Sequence, residues 1–144
     1  MELIRIEKDG RPAEAIDEVS EYAQGVIGAT TGLYETVGFE PPWVAYLAVD
    51  HGVCVGTCAF KSPPREGVVE IAYHTFPGHE GKGVATSMAA LLTAKGRAVD
   101  GITVTARTLP EESASTTILA KLGFDNVGEV EDPEDGTVWE WRLP

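Results

Sequence analysis

A glycine-rich turn between two apolar segments carries the residue types best suited to binding an anion. Gly81, Lys82 and Gly83 follow a β-branched run at 68–73 and precede an apolar segment at 84–93 with helical spacing, which predicts a strand, a turn and a helix. Glycine lets backbone amides approach an anion, the first helical turn offers unpaired N–H groups, and the lysine adds a positive charge. This pattern is typical of a phosphate-binding turn, although the same residues also suit a plain tight turn.

The spacing of the turn excludes two common nucleotide-binding patterns. A P-loop, Gly-x-x-x-x-Gly-Lys-Ser/Thr, would need glycine in place of Phe76 and a hydroxyl residue in place of Gly83. The dinucleotide fingerprint Gly-x-Gly-x-x-Gly is absent as well.

Two titratable residues in the preceding strand are candidates for accepting a proton. Glu70 lies in an otherwise apolar run, where partial removal from water would make its carboxylate a stronger base. His74 lies four residues later, so the alternation of a strand places it on the same face. A solvent-facing glutamate and a structural histidine are the alternative interpretations, and both stay open.

The remaining pattern predicts the elements that position these residues. Strands are expected at 3–6, 43–49, 53–60, 68–73, 102–106, 124–130 and 137–143, and helices from Pro12 to about 28, at 84–97 and at 113–122. The segment Thr30 to Pro42 is expected to form a second short helix and a loop. We therefore expect one mixed α/β domain over residues 1–144, with a largely antiparallel sheet of six or seven strands flanked by helices.

Two motifs together resemble the GNAT superfamily of N-acetyltransferases. In that family Arg/Gln-x-x-Gly-x-Gly/Ala begins the helix after the fourth strand, and in the segment 77–86 the defining positions are held by Glu80, Gly83 and Ala85. The later segment 114–124, ending in Lys-Leu-Gly-Phe, is similar to the family's late helix. The resemblance covers roughly the chain from position 43 onward, and it implies a GNAT-like fold.

The resemblance implies direct transfer of an acetyl group from acetyl-coenzyme A to a primary amine of a small molecule or peptide. The coenzyme-binding residues it implies are Thr75, Phe76, Glu80, Gly81, Lys82, Gly83, Val84, Ala85, Thr86 and Ser115. The resemblance implies Glu70 and Ser115 as catalytic residues, and His74, on the same strand face as Glu70, could assist or replace it. The implied walls of the acceptor pocket are Tyr34, Phe39 and Trp43. A backbone N–H near Thr75 would stabilise the oxyanion.

The chain departs from the family pattern at three positions. Leu119 stands where many members have a tyrosine, and Glu80 replaces arginine or glutamine. Ser115 resembles the serine of the ribosomal-protein-alanine acetyltransferase branch, but Glu112 replaces the asparagine expected before it. These departures leave two alternatives open: a catalytically inactive acyl-coenzyme A-binding sensor or regulatory module, and a domain that binds no coenzyme.

Composition favours a soluble, cytoplasmic protein. The formal net charge of −12 argues against binding nucleic acid or an anionic membrane, while a cationic acceptor and general solubility both suit it. No apolar run approaches the length of a membrane helix. Cys54 and Cys58 are expected to face the same side of a strand about 13 Å apart, as reduced thiols. Together with His51 the two cysteines match no standard zinc spacing, so no metal is expected. The sequence leaves open whether the protein forms a homodimer.

Overall fold

The chain forms seven strands and three helices, described over residues 1–144 by a computed structural model. The strands are β1 (Glu2–Arg5), β2 (Ala45–Asp50), β3 (Val53–Phe60), β4 (Val68–Thr75), β5 (Thr103–Thr108), β6 (Asp125–Asp132) and β7 (Gly136–Arg142). The helices are α1 (Glu21–Val37), α2 (Val84–Arg97) and α3 (Ala114–Lys121). None of them is long and apolar enough to cross a membrane. The predicted mixed α/β architecture around a mostly antiparallel sheet is confirmed.

One sheet contains all seven strands in the order β1-β2-β3-β4-β5-β7-β6. The pair formed by β4 and β5 is parallel, and the other pairs are antiparallel. The parallel pairing runs from Val68 opposite Thr103 to Ile71 opposite Ala106, whereas β4 continues to Thr75. The last four residues of β4 therefore keep β3 as their only neighbour in the sheet.

The core lies on both faces of this sheet. Helix α1 covers the face that contains Thr57 and His74, and α2 packs with α3 on the opposite face against β3, β4 and β5. The largest fully buried side chains are Phe60, Ile6, Leu47, Met88, Leu92 and Leu119. Burying each of them contributes about 1.5–3 kcal/mol, so the two layers hold β4 in place between them.

Helix α1 corrects the prediction for the N-terminal third. It begins at Glu21 rather than at Pro12, because the Ser20 hydroxyl caps it by accepting a hydrogen bond from the Ala23 amide at 3.2 Å. It then continues without a break to Val37, so the predicted second short helix at 30–42 is wrong. Its interior glycines each cost about 1 kcal/mol, and packing of the apolar face on the sheet outweighs that cost.

A β-bulge in β3 corrects the prediction for the cysteines. Ala48 lies opposite Gly56 while Val49 lies opposite Cys54, so Val55 is an extra residue that reverses the alternation. Cys54 therefore shares the face of α1, and Cys58 shares the face of α2. Burial raises the pKa of the Cys54 thiol to about 11 and that of the Cys58 thiol to about 12. No cluster of three or more metal-ligating side chains is present.

The close approach of α2 to the sheet depends on Gly56. A Cβ built there would lie 2.9 Å from the His74 carbonyl oxygen and 2.9 Å from the Met88 sulfur. The sulfur could move, but the carbonyl belongs to the sheet and has little freedom. Gly25, in α1, has no such neighbours, since nothing lies within 4 Å of the position that a Cβ would occupy there.

We expect Gly56→Ala to lower the free energy of unfolding by about 1–3 kcal/mol. Gly25→Ala should raise it by about 0.5–1 kcal/mol, because alanine favours the helix and meets no obstacle. Urea denaturation of the two variants and the wild type measures both effects. A Gly56→Ala protein as stable as the wild type would contradict the packing argument.

Candidate active site

The turn before α2 is built to present backbone amides. Gly83 is the N-terminal cap of α2 with φ 77°, and no side chain caps the first helical turn. Gly81 has φ 75°, and nothing lies within 4 Å of the Cβ position of either glycine. Positive φ values favour glycine, and the free first-turn N–H groups carry the positive end of the helix. A side chain at either position would enter the space in front of these amides.

A groove of about 470 Å³ runs from this turn along α2 and α3. We call it the α2–α3 groove; its lining is Thr75, His79, Glu80, Gly81, Gly83, Val84, Ala85, Thr86, Ala114, Thr117, Ile118 and Lys121. Most of the predicted coenzyme residues lie in it. Lys82 is exposed in the turn, Ser115 is half-buried next to Ala114, and Phe76 is buried. Ala114, Thr117 and Ile118 of α3 and His79 were missed, because only tertiary packing brings them to the turn.

The side chain of Glu80 folds over the turn that contains it. Its Oε2 accepts a hydrogen bond from the Gly78 amide at 3.1 Å, and the residue is exposed. The carboxylate therefore uses one amide at the rim, while the amides at the start of α2 have no side-chain partner. An anionic group beside bound phosphate is unfavourable, so Lys82 and Lys121 are the cations available to offset it.

The free end of β4 directs backbone amides away from β3. The Lys61 amide donates to the Glu70 carbonyl at 2.9 Å, and the Phe76 amide donates to the Val55 carbonyl at 2.9 Å. Because backbone groups alternate along a strand, those of Tyr73 and Thr75 point to the side that β5 has left. An N–H near Thr75 is thus located where the predicted oxyanion donor should be.

A second groove, of about 290 Å³, lies between α1 and the sheet. We call it the α1 groove; its lining is Val26, Ala29, Thr30, Leu33, Ala45, Thr57, Cys58, Ala59, Ala72, Tyr73 and His74. His74 is exposed, and its Nε2 lies 2.6 Å from the hydroxyl oxygen of Tyr22. His74 lines this groove and the next residue, Thr75, lines the α2–α3 groove, so the two grooves approach each other at the end of β4.

Glu70 lies among charged groups, not in the apolar surroundings that its sequence neighbours suggested. Its Oε2 is 3.0 Å from Lys61 Nζ, and its Oε1 is 3.8 Å from Arg107 Nε. Arg107 also pairs with Asp132 at 3.0 Å. Backbone N–H donation from Glu134 and the Arg107 guanidinium lower the pKa of Asp132 to about 2. Glu70 lines neither groove, and this network ties β4 to β5 and β6.

The three aromatic residues expected to line the acceptor pocket lie elsewhere. Tyr34 is buried, and its hydroxyl donates to the Ile6 carbonyl at 2.8 Å and accepts from the Ala45 amide at 3.0 Å. Phe39 packs edge-on against Tyr34, and Trp43 packs edge-on against Phe60. None of them lines the α1 groove, and all three pack in or against the core, so their role as acceptor-pocket walls stays a prediction.

Tyr73 is a candidate functional residue that the sequence pattern did not single out. It shares the α2 face with Cys58, its partner on β3. Burial raises the pKa of its hydroxyl, and an interaction with the Ser115 side chain opposes the rise. Leu119, at the position where many GNAT enzymes have a tyrosine, is fully buried. The alternation along 68–75 places Tyr73 and Thr75 on one face, which is the signal that could have identified it.

The fold and the site agree with a match to a known family. The profile of the acetyltransferase (GNAT) domain family matches residues 9–125. The chain therefore belongs to the GNAT acetyltransferase family, and the predicted family is confirmed. No curated protein sequence matches it significantly.

Solved structures share this fold at low sequence identity. A chimera of spermidine N-acetyltransferase from Vibrio cholerae and hSSAT is 12% identical with a TM-score of 0.71, and the match covers 99% of this chain and 93% of that one. The protein yncA from Salmonella typhimurium, solved with acetyl-coenzyme A, is 18% identical with a TM-score of 0.63, covering 88% and 75%. The aminoglycoside acetyltransferase AAC(6')-Ib, solved with coenzyme A, is 19% identical with a TM-score of 0.60.

These matches fit the groove described above. The match to the aminoglycoside acetyltransferase covers 69% of this chain and 65% of that one, so this chain spans less than two thirds of that relative's length. Acetyl-coenzyme A is the cofactor of the family, as predicted. The open space before Gly81 and Gly83 and the uncapped start of α2 fit its phosphates. The assignment to the ribosomal-protein-alanine branch stays a prediction.

We expect Lys82→Glu to weaken binding of coenzyme A about tenfold, because the substitution places a negative charge beside the phosphates. Lys8→Glu is the matched control, since Lys8 is also exposed but lies outside the α2–α3 groove. Calorimetric titration with coenzyme A measures the dissociation constant of each variant. An equal loss in both would show that net charge, not the turn, governs binding.

Proposed function

We propose that the protein transfers the acetyl group of acetyl-coenzyme A directly to a primary amine. The observation that carries this proposal is that adjacent residues at the open end of β4 line grooves on opposite faces of the sheet, His74 in one and Thr75 in the other. The α2–α3 groove would hold the coenzyme, and the α1 groove would hold the amine. Acetyl-coenzyme A supplies the acetyl group as an activated thioester.

The amine must lose a proton before it can attack. The pKa of an alkylammonium group lies about three units above pH 7, so forming the free amine costs roughly 4 kcal/mol. His74 is the residue best located to take this proton, because it lines the α1 groove and a neutral imidazole is an effective base near pH 7. Nε2 of His74 is hydrogen-bonded to the Tyr22 hydroxyl. In the tautomer in which Nε2–H is the donor of that bond, Nδ1 is the nitrogen that can accept the proton. We regard Glu70 as the second candidate, since it lies on the same face.

The sulfur that leaves needs a proton donor or a stabilising hydrogen bond. Tyr73 and Ser115 interact on the face of the sheet that carries the α2–α3 groove. Because burial raises the pKa of the Tyr73 hydroxyl, that hydroxyl keeps its proton throughout the neutral pH range. We assign to Tyr73, with Ser115 beside it, the role of proton donor to the leaving sulfur. Many GNAT enzymes have a tyrosine at the position of Leu119, and Tyr73 would act in its place.

A second candidate function is coenzyme binding without transfer. The observation in its favour is the carboxylate of Glu80, which occupies the Gly78 amide at the rim of the turn. Release of free thiol from acetyl-coenzyme A upon addition of amines tests the choice. Thiol release that depends on the amine would support transfer. Saturable coenzyme binding with no thiol release from any amine would support the binding module.

We expect His74→Gln to lower kcat at pH 7 by roughly 10²-fold or more, because positioned bases contribute about that factor. Glu70→Gln should lower it less, since Glu70 is paired with Lys61 and lines neither groove. The rate of thiol release at saturating substrates measures both. A larger loss for Glu70→Gln than for His74→Gln would reverse the assignment of the base.

We expect Tyr73→Phe to lower kcat by about tenfold to a hundredfold while leaving the affinity for coenzyme A within about twofold of the wild type. The phenyl ring keeps the packing and removes only the proton donor. Ser115→Ala should have a smaller effect, because the serine acts beside the tyrosine. Unchanged turnover in the Tyr73→Phe protein would remove this residue from the mechanism.

A further inference from the structure

The α1 groove has few polar side-chain atoms, and its two threonine hydroxyls already donate hydrogen bonds inside the protein. The Thr30 hydroxyl donates to the Val26 carbonyl at 2.9 Å, and the Thr57 hydroxyl donates to the Tyr46 carbonyl at 3.0 Å. The other side chains of the lining are apolar, apart from His74 and the Tyr73 side chain that faces α2. A molecule in this groove therefore meets few polar side-chain groups: the two threonine oxygens, which can still accept a hydrogen bond, and the imidazole of His74.

No carboxylate lines the α1 groove. The carboxylate nearest along β4, that of Glu70, is paired with Lys61 at 3.0 Å and lies near Arg107 at 3.8 Å. The formal net charge of −12 is thus carried by other parts of the surface. A polyamine or an aminoglycoside brings several ammonium groups, and each one placed in such a groove would lose water without gaining an anionic partner.

We propose that the acceptor is a primary amine bearing one compact apolar group, aliphatic or aromatic, and not a polycation. This inference rests on the proposed function, in which the α1 groove holds the amine. The groove volume of about 290 Å³ is at the small end for ligand sites, so it suits one such group. Leu33, at the groove and 36% exposed, offers an apolar surface to such a group.

A panel of amines tests the acceptor class. Thiol release from acetyl-coenzyme A is measured with isoamylamine and 2-phenylethylamine and, in parallel, with spermidine and kanamycin. We expect kcat/KM to be at least about tenfold higher for the apolar amines, the size of effect that apolar contacts give. A preference for spermidine or kanamycin would overturn this inference and leave the transferase function standing. Coenzyme binding without thiol release from any amine would overturn both.

Two matched leucine variants test the groove itself. Leu33→Glu places a carboxylate at the α1 groove, whereas Leu91→Glu makes the same change on α2, where the leucine is 38% exposed and lines neither groove. We expect Leu33→Glu to lower the ratio of kcat/KM for 2-phenylethylamine over spermidine by about tenfold or more, and Leu91→Glu to change it by less than about twofold. Titration with coenzyme A checks that both variants bind normally. An unchanged ratio in Leu33→Glu would overturn the inference.

Discussion

The separation of β4 from β5 is the constraint on which the rest of the site depends. As far as Ile71 the two strands are paired, and the Thr105 hydroxyl also donates to the Val69 carbonyl at 3.1 Å. Beyond that point β4 keeps only β3, yet it stays extended to Thr75 because it remains paired with β3, α2 packs on one of its faces, and Tyr22 of α1 bonds His74 on the other. Buried backbone amides normally need partners. A strand held open in this way offers them to a ligand.

The site lies in a strongly acidic chain and yet suits an anionic cofactor, because the positive groups of the site are close to the ligand and most carboxylates are far from it. Salt screens charges beyond about 8–10 Å, so the carboxylates spread over the surface act weakly at the turn. The uncapped amides at the start of α2 act at contact distance, and their partial positive charge does not change with pH. Lys82 and Lys121 add local positive charge. Net charge alone was therefore a poor guide to either ligand.

Local signals predicted the part of the fold that local physics determines. The turn at Gly81 to Gly83, the hairpins and the end of α2 follow from glycine placement and alternation, and the coenzyme groove followed from the motifs. The bounds of α1 were missed because a serine cap fixes its start and packing on the sheet outweighs the cost of its interior glycines. Helix propensity alone shows neither effect. The surroundings of Glu70 were missed because Lys61 and Arg107 come from other parts of the chain. The role of Tyr34 was missed because its hydroxyl binds backbone far away in sequence.

The bulge at Val55 also bears on the covalent chemistry open to this protein. A thioester can in principle pass its acyl group first to an enzyme cysteine, forming an acyl-enzyme, and the attacking species is then the thiolate. Here the bulge sends the two cysteines to opposite faces, and burial raises their pKa values to about 11 and about 12. At neutral pH both are almost entirely protonated. Neither thiol is suited to carry an acyl group, which supports the proposal of direct transfer over a route through an acyl-enzyme.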